Sequence, residues 1–357
     1  MIRIAFLAIA QAHQIFHWLP AALRLAKEPG VEVHVLSASR SALALIREFD
    51  PDRSLHLKRI FVPSLRRDGL FSPPKRIWAL IYHLRLINGF DAIVTTERTS
   101  SILKRMPGFT APVIHMMHGA GDRARGYNRK HRFFDLTLVG GEKNKERLVA
   151  RGLRTPEQVK VTGYAKFEIV PPARQLFDDG RPIALYNPHF DPKLSSWHRH
   201  GREVLTELAR IDGWNFIVAP HVKLSGGPRL TAPTANVLVD PGSMRSIDMS
   251  YTSAASVYIG DVSSQVYEFI RQPRPCIFLN LDRVEWQDDE HYAHWKFGQV
   301  IEQAAELGPA LNRAAELQPQ FEPVQRAALQ RSIDPSPVPA SERQAAAILE
   351  FVRTRRG

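Results

Sequence analysis

The sequence predicts an α/β protein built from two doubly wound domains in tandem. Short apolar runs alternate with amphipathic helical stretches, which is typical of a parallel sheet covered by helices. The alternation stops at the polar, proline-containing segment 171–182 and then starts again. A length of 357 residues is sufficient for two domains that each bury a core.

The first domain is expected to span residues 1–170, and it opens as a βαβ unit. A strand at 2–9 leads into a helix at 16–27, which Pro29 and Gly30 end before the next strand. The remaining segments follow the same alternation. The predicted strands are 2–9, 31–36, 55–62, 91–95, 112–117, 136–140 and 159–163, and the predicted helices are 16–27, 41–49 and 74–87.

The second domain is expected to span 183–335, after a linker at 171–182 and before a C-terminal helix at 336–357. The tail from Val300 is predicted to be helical, with an interruption around 334–339. Ligands of open α/β sheets bind beyond the carboxyl ends of the strands, so we expect strand-end residues of both domains to line one cleft. The predicted strands are 183–186, 214–219, 237–239, 257–260 and 275–279, with helices at 197–211 and 244–254.

The positive charge is concentrated in the first half of the chain. The net charge is +12, and residues 1–172 hold 28 Lys and Arg against 14 Asp and Glu, whereas residues 173–357 hold 20 against 22. Such a field favours a polyanionic or membrane-surface partner over a neutral small molecule. Nucleic acid ranks lower because there is no zinc-finger spacing and no aromatic-basic RNA-binding motif.

The basic loop 66–76 is a candidate membrane or acceptor surface, with a solvated loop as the alternative. The single cysteine, Cys276, leaves no disulfide framework and is typical of a reducing compartment. We therefore expect a cytoplasmic protein, and we leave open a peripheral contact with the inner face of the cell membrane.

The segment 257–270 predicts a phosphate-binding turn. An apolar strand runs into Asp261, Ser263 and Ser264, and a helix follows. Such a turn directs backbone N–H groups, hydroxyls and the positive end of a helix dipole at one point, where an anion can bind. The alternative is that one of the two serines only caps the helix.

Three other predicted strand ends carry polar residues suited to chemistry. Together with the 257–270 turn, they supply a base for an acceptor hydroxyl, cations for a leaving phosphate and fixed dipoles around it. The alternative for each histidine is a hydrogen-bonded structural residue. The three strand ends hold His118, Gly119, Arg123 and Arg125; Asn187 and His189; and His221 and Lys223.

The order and spacing of these motifs resemble the CDP-glycerol glycerophosphotransferases of teichoic acid synthesis, which have a GT-B fold. The resemblance covers about residues 110–300 and rests on five motifs. These are His118-Gly119, Gly163-Tyr164, Pro220-His221, Asp261-Val262-Ser263-Ser264 and the strand 275–282 that ends at Asp282.

This chain departs from the family pattern at three positions. The family's Lys after His-Gly is replaced, so Arg123 or Arg125 would supply that charge. Pro188-His189 stands where the family has Thr after Pro, and Val262 replaces a Tyr.

The resemblance implies two Rossmann-like domains that face a cleft, and a direct displacement reaction in cell-envelope polymer synthesis. The donor would be CDP-glycerol, or a CMP- or UDP-sugar, and the acceptor would be anionic or lipid-linked. His118 would be the base, and His221 would hold the donor with the phosphate-binding residues. The expected donor-side residues are Gly119, Arg123, Arg125, Asn187, His189, Lys223, Asp261, Ser263, Ser264 and Asp282.

His13 and His17 are expected on the acceptor side. Their four-residue spacing suits a metal ion as well, but the sequence offers no third ligand. The mixed segment 288–294 is better explained as an acidic helix start, and Asp50-Pro51-Asp52 as a turn. We therefore expect neither a metal nor another cofactor.

Three alternatives remain open on the same fold. They are a nucleotide-sugar glycosyltransferase, a UDP-sugar 2-epimerase and a non-catalytic protein that binds a nucleotide or a polyanion. An epimerase needs no acceptor and so does not explain the basic first half. The changed residues after His118 are the best support for a non-catalytic protein.

Overall fold

The computed structural model describes residues 1–63, 75–121, 126–169, 175–224 and 231–356. The chain forms two compact units. The first unit comprises 1–118, 125–169 and 331–357, and the second comprises 119–124 and 170–330.

The first unit is built on a fully parallel sheet with the strand order β3-β2-β1-β4-β5-β6-β7. Strand β1 is an interior strand of this sheet, and its Ile4 lies opposite Val33 of β2 on one side and Ala92 of β4 on the other. Strands β4, β5 and β6 are buried along their whole length, as near-continuous apolar runs predict. The strands are β1 Ile2–Leu7, β2 Val31–Ser37, β3 His56–Arg59, β4 Ala92–Thr95, β5 Val113–Met116, β6 Leu136–Val139 and β7 Val159–Val161.

Helices cover this sheet and bury one face each. Helix α2 begins after Ser39, whose hydroxyl accepts a hydrogen bond from the backbone N–H of Ala42 at 3.0 Å. The C-terminal helix α10 packs against α1, within the same unit. The helices are α1 Leu19–Leu25, α2 Arg40–Glu48, α3 Arg76–Tyr82, α4 Leu84–Asn88, α5 Glu142–Ala150 and α10 Ala340–Arg356.

The second unit has its own parallel sheet, with the order β10-β9-β8-β11-β12-β13. Its core includes Tyr186, Phe216 and Ile259, which are fully buried. The strands are β8 Ile183–Asn187, β9 Asn215–Val218, β10 Val237–Val239, β11 Val257–Gly260, β12 Cys276–Leu279 and β13 Gln299–Ile301. The helices are α6 Trp197–Arg210, α7 Ser250–Ala254, α8 Val266–Phe269 and α9 Leu307–Ser332, of which the last two residues belong to the first unit.

The predicted alternation of strands and helices is confirmed, but several boundaries differ. The helix expected at 16–27 is a 3-10 helix, Ala12–His17, followed by the short α1. The helix expected at 244–254 is divided because Met249 has a positive φ of 70°, which no α-helix accommodates. Strand β13 lies where the helical tail was expected to begin, and α5 was not anticipated from the sequence.

No helix in the described part of the chain is long and apolar enough to span a bilayer.

Candidate functional site

His118 follows strand β5 at the carboxyl edge of the first unit's sheet. Its Nδ1 lies 2.7 Å from the carbonyl oxygen of Thr96, and because a carbonyl oxygen only accepts, Nδ1 must carry the proton. The neutral ring therefore presents the lone pair of Nε2, which lies 3.4 Å from the side-chain nitrogen of Gln14. This tautomer suits a general base.

Gln14 and Thr96 fix the orientation of this imidazole. The hydroxyl of Thr96 donates to Oε1 of Gln14 at 3.0 Å, so the amide nitrogen of Gln14 is turned towards His118. Both Gln14 and Thr96 are buried. Their roles were not predicted from the sequence.

His13 and His17, the expected acceptor-side residues, lie beside His118 in the same unit. Their ring centroids are 6.1 and 5.9 Å from that of His118, and His17 also packs edge-on against Tyr164 at 5.1 Å. Burial, and after it the charges of Lys166 and His118, hold the pKa of His17 well below its ordinary value. The structure thus brings the three predicted histidines of this unit together.

Lys166 adds a positive charge to this cluster that the sequence analysis missed. It lies on the 3-10 helix Ala165–Glu168, which packs against the 3-10 helix Ala12–His17, and it is buried. In this part of the sequence, only the adjacent Gly163-Tyr164 pair belonged to a recognised motif. Among the described residues, no three His, Cys, Asp or Glu side chains are arranged so that they could hold a metal ion, and this includes His13, His17 and His118.

In the second unit, Asp261 is buried at the end of β11 and connects three segments. Its Oδ1 accepts from the backbone N–H of His189 at 2.8 Å, and its Oδ2 accepts from the N–H and the hydroxyl of Ser196 at 2.9 and 3.0 Å. Its carbonyl oxygen accepts from His294 Nε2 at 2.9 Å and from Trp295 Nε1 at 3.0 Å. Asp261 therefore anchors the loop after β8 and the segment after β12.

Burial raises the pKa of Asp261 to about 6, although the hydrogen bonds from Ser196 and His189 oppose the shift. Hydrogen-bond donors of the chain itself occupy both carboxylate oxygens. The geometry therefore indicates that Asp261 holds neighbouring segments in place.

Asn187 ties together the ends of three strands. Its Nδ2 donates to the carbonyl oxygen of Ala219 at 2.7 Å, after β9. Its Oδ1 accepts from the hydroxyls of Ser263 at 3.0 Å and Tyr258 at 3.3 Å, from the β11 side. Asn187 and Ser263 are both buried, so their hydrogen bond holds the 257–270 turn against the interior of the second unit.

His189 and His221 lie together at the ends of β8 and β9. Their ring centroids are 6.1 Å apart, and Phe190 packs against both at 4.3 and 4.8 Å. The backbone N–H of Asp191 donates to His189 Nδ1 at 3.0 Å, which leaves the proton of the neutral ring on Nε2.

Ser264 differs from Ser263 because its side chain is exposed. Two glycines of the segment 119–121 approach it: a Cβ on Gly121 would lie 2.7 Å from the Cβ of Ser264, and one on Gly119 would lie 3.5 Å from its Oγ. Gly119 also has a φ of +85°, in the region that favours glycine. The structure thus brings the glycines after His118 and the 257–270 turn together within the second unit.

The expected helix dipole is weak at this turn, because α8 comprises only Val266–Phe269. Ser264, which is exposed, and the buried His189 remain as the candidate anion-binding residues at this turn.

The side chain of Asp282 contacts helix α6 instead of the histidines and serines described above. Its carboxylate forms an ion pair with Arg199 and accepts from His200 Nε2 at 3.0 Å, both on α6. Arg123, Arg125 and the side chain of Lys223 lie outside the described residues.

The fold and these strand-end clusters define the class of protein, an α/β protein with the GT-B fold, as predicted. Among solved structures, a histidine variant of the wall teichoic acid polymerase TagF soaked with CDPG is similar to this chain. It is 14% identical, the match covers 99% of this chain and 89% of that chain, and the TM-score is 0.65.

Two further structures are similar over 99% of this chain at 11% identity. The MnaA–UDP co-structure from S. aureus is covered to 97% with a TM-score of 0.68, and the UDP-GlcNAc 2-epimerase from Neisseria meningitidis bound to UDP-GlcNAc is covered to 100% with a TM-score of 0.66. Similarity at these identities shows the fold. No protein-family model and no curated protein sequence matches this chain.

Proposed function

We propose that this protein is a transferase that moves a glycerophosphate-type or glycosyl group from a nucleotide-activated donor to an anionic or lipid-linked acceptor. CDP-glycerol is the first candidate donor, and cell-envelope polymer synthesis is the proposed setting. One observation carries the proposal: the ring of His118 is oriented by Thr96 and Gln14 so that its Nε2 is an acceptor. A base needs this protonation state to deprotonate a hydroxyl.

The proposed reaction is a single displacement. The acceptor hydroxyl takes the place of the Gln14 amide N–H at His118 Nε2 and gives its proton to this nitrogen, while its oxygen attacks the phosphorus or the sugar carbon of the donor. The bond to the nucleotide phosphate breaks, and the nucleotide leaves with the bonding electrons, as CMP when the donor is CDP-glycerol. The reaction needs little beyond positioning and charge stabilisation.

We assign the donor phosphates to the second unit. His189, His221 and the hydroxyl of Ser264 are the proposed contacts, with Gly119 allowing close approach of the backbone. Arg123, Arg125 and Lys223 are the proposed cations. Asn187, Asp261 and Ser263 support the turn. Asp282 orients α6 through its ion pair with Arg199 and its hydrogen bond from His200.

We assign the acceptor to the first unit. The excess of Lys and Arg in residues 1–172 favours an anionic molecule, and the buried Lys166 beside His17 places one such charge near His118. His13 and His17 complete the proposed acceptor side, and the proposed location is the cytoplasmic face of the membrane.

A 2-epimerase is the second candidate, because two of the similar structures belong to such proteins or contain UDP. Incubation with UDP-GlcNAc distinguishes the two functions: an epimerase interconverts the sugar without an acceptor, whereas a transferase releases nucleotide only when an acceptor is present.

A donor screen tests the proposal first. Thermal shifts with CDP-glycerol, CMP-sugars and UDP-sugars identify the donor, and nucleotide release with a lipid-linked acceptor then measures turnover. A protein that binds a donor but releases no nucleotide with any acceptor would be a binding protein, and the transferase proposal would be rejected.

A further inference from the structure

Helix α3 exposes a continuous apolar face. Only Ala79 and Leu80 of this helix are buried, whereas Ile77, Trp78 and Ile81 are exposed to 38%, 43% and 36%. Tyr82 is exposed to 59%. Residues four apart lie on the same side of a helix, so the pairs 77/81 and 78/82 form two adjacent stripes. The rings of Trp78 and Tyr82 lie 5.9 Å apart.

Phe61 extends this face from the end of β3. Its side chain is exposed to 72%, and its carbonyl oxygen accepts a hydrogen bond from Nε2 of His83 at 2.7 Å. Because His83 directly follows α3, this bond holds Phe61 beside the end of the helix. Single exposed apolar residues are ordinary, but five large ones on adjoining segments mark an interaction surface. We call these five residues the aromatic face.

The chain around the aromatic face is strongly basic. The segments 53–63 and 75–90 contain six Lys and Arg and no Asp or Glu. Lys58, Arg59, Lys75 and Arg85 are exposed. Arg76 is partly neutralised by Glu97, at 4.0 Å. The apolar residues of this face match an apolar layer, and the cations at its border match anionic groups at the surface of that layer.

We propose that the aromatic face docks on an anionic phospholipid bilayer. Trp and Tyr favour the depth of the headgroups, where the ring is buried and the polar atom stays hydrated. Lysines and arginines near the surface are attracted to anionic lipids. Nucleic acid would use the charge but would leave Ile77, Ile81 and Phe61 exposed. The protein lies on the membrane through this face, and the inference holds whichever reaction the protein catalyses.

Vesicle co-sedimentation tests this inference on the full chain. Wild-type protein should bind vesicles of phosphatidylcholine with phosphatidylglycerol, bind phosphatidylcholine alone weakly, and dissociate as salt is raised from about 0.1 M to about 0.5 M. The Trp78→Ser/Tyr82→Ser variant should bind at least about tenfold more weakly, because it loses the buried ring area. Lys75→Glu/Arg85→Glu should lose at least about tenfold through charge alone.

Val324→Ser is the matched control, since Val324 is exposed to 44% and belongs to the second unit. It should bind as the wild type does. Unfolding curves show which variants are folded, and the charge variant tests the inference even where the aromatic variant is unstable. Wild-type binding by both variants, or no binding by the wild type, overturns the inference. A dimer that the Trp78→Ser/Tyr82→Ser variant dissociates, without vesicle binding, would assign the face to a second copy of the chain and also overturn it.

Discussion

The carboxylate of Asp261 accepts two hydrogen bonds from one residue, Ser196, through its backbone N–H at 2.9 Å and its hydroxyl at 3.0 Å. Because Asp261 directly follows β11 and Ser196 directly precedes α6, the pair joins the predicted phosphate turn to the loop that carries His189. Asp261, which the sequence predicted as a donor-side residue, is thus a structural anchor within the second unit.

The pKa of Asp261 predicts how stability depends on pH. Its pKa is about 6 in the folded protein against 3.8 for an ordinary Asp, so the folded state binds more protons between these values. The contribution of this group to stability is therefore fully present below pH 3.8 and is lost as the pH rises through about 6. The loss is on the order of 3 kcal/mol.

Asp261→Asn should remove this pH dependence and destabilise the protein. The amide offers one acceptor where two oxygens accept now, so one buried donor loses its partner, at a cost of about 1–3 kcal/mol. The difference in free energy of unfolding between wild type and variant should be larger at pH 5 than at pH 7.5. Denaturant unfolding at the two pH values measures it, and an equal or larger difference at pH 7.5 contradicts the assignment.

Gly121→Ala should destabilise the second unit by about 1–3 kcal/mol and weaken donor binding, because the new Cβ would overlap Ser264. Gly126→Ala is the control: its Cβ would meet no atom within 4 Å, and its φ is not positive. Thermal unfolding with and without CDP-glycerol compares them. Equal behaviour of the two variants would show that the 119–121 segment does not pack on Ser264.

The two serines of the turn should respond differently to alanine. Ser263→Ala removes a buried hydroxyl that donates to Asn187, and we expect a loss of about 1 kcal/mol in stability. Ser264→Ala changes an exposed side chain, and we expect unchanged stability with about tenfold weaker donor binding. Calorimetry with the donor found in the screen, alongside unfolding, separates the two effects. The reverse pattern would assign phosphate binding to Ser263.

The fold was predictable because parallel strands buried on both faces read as apolar runs, as in β4 and β11. The strand-end histidines were identified for the same reason, since a predicted strand that stops at Met117 or Ala219 places the following polar residues at the sheet edge. The predicted ends of helices were wrong where a single backbone angle decides them. The positive φ of Met249, for example, divides the helix expected at 244–254.

Residues whose role depends on contacts distant in sequence were not predictable. Gln14 meets His118 across 104 positions, and Ser196 meets Asp261 across 65. The spacing of apolar residues along the sequence does not indicate which distant residues will form such a pair. Lys166 gave no signal because a buried lysine looks like an exposed one in the sequence, and its burial follows from the packing of two short 3-10 helices.

The most direct test of the central claim is nucleotide release from the identified donor with a lipid-linked acceptor, measured for wild type, His118→Ala and His221→Ala. His56→Ala, at an exposed position of β3, is the control. We expect turnover to fall by a factor of about 10² or more in the first two variants, with the fold retained, and donor binding to persist in His118→Ala. Wild-type turnover in both His118→Ala and His221→Ala would contradict the account.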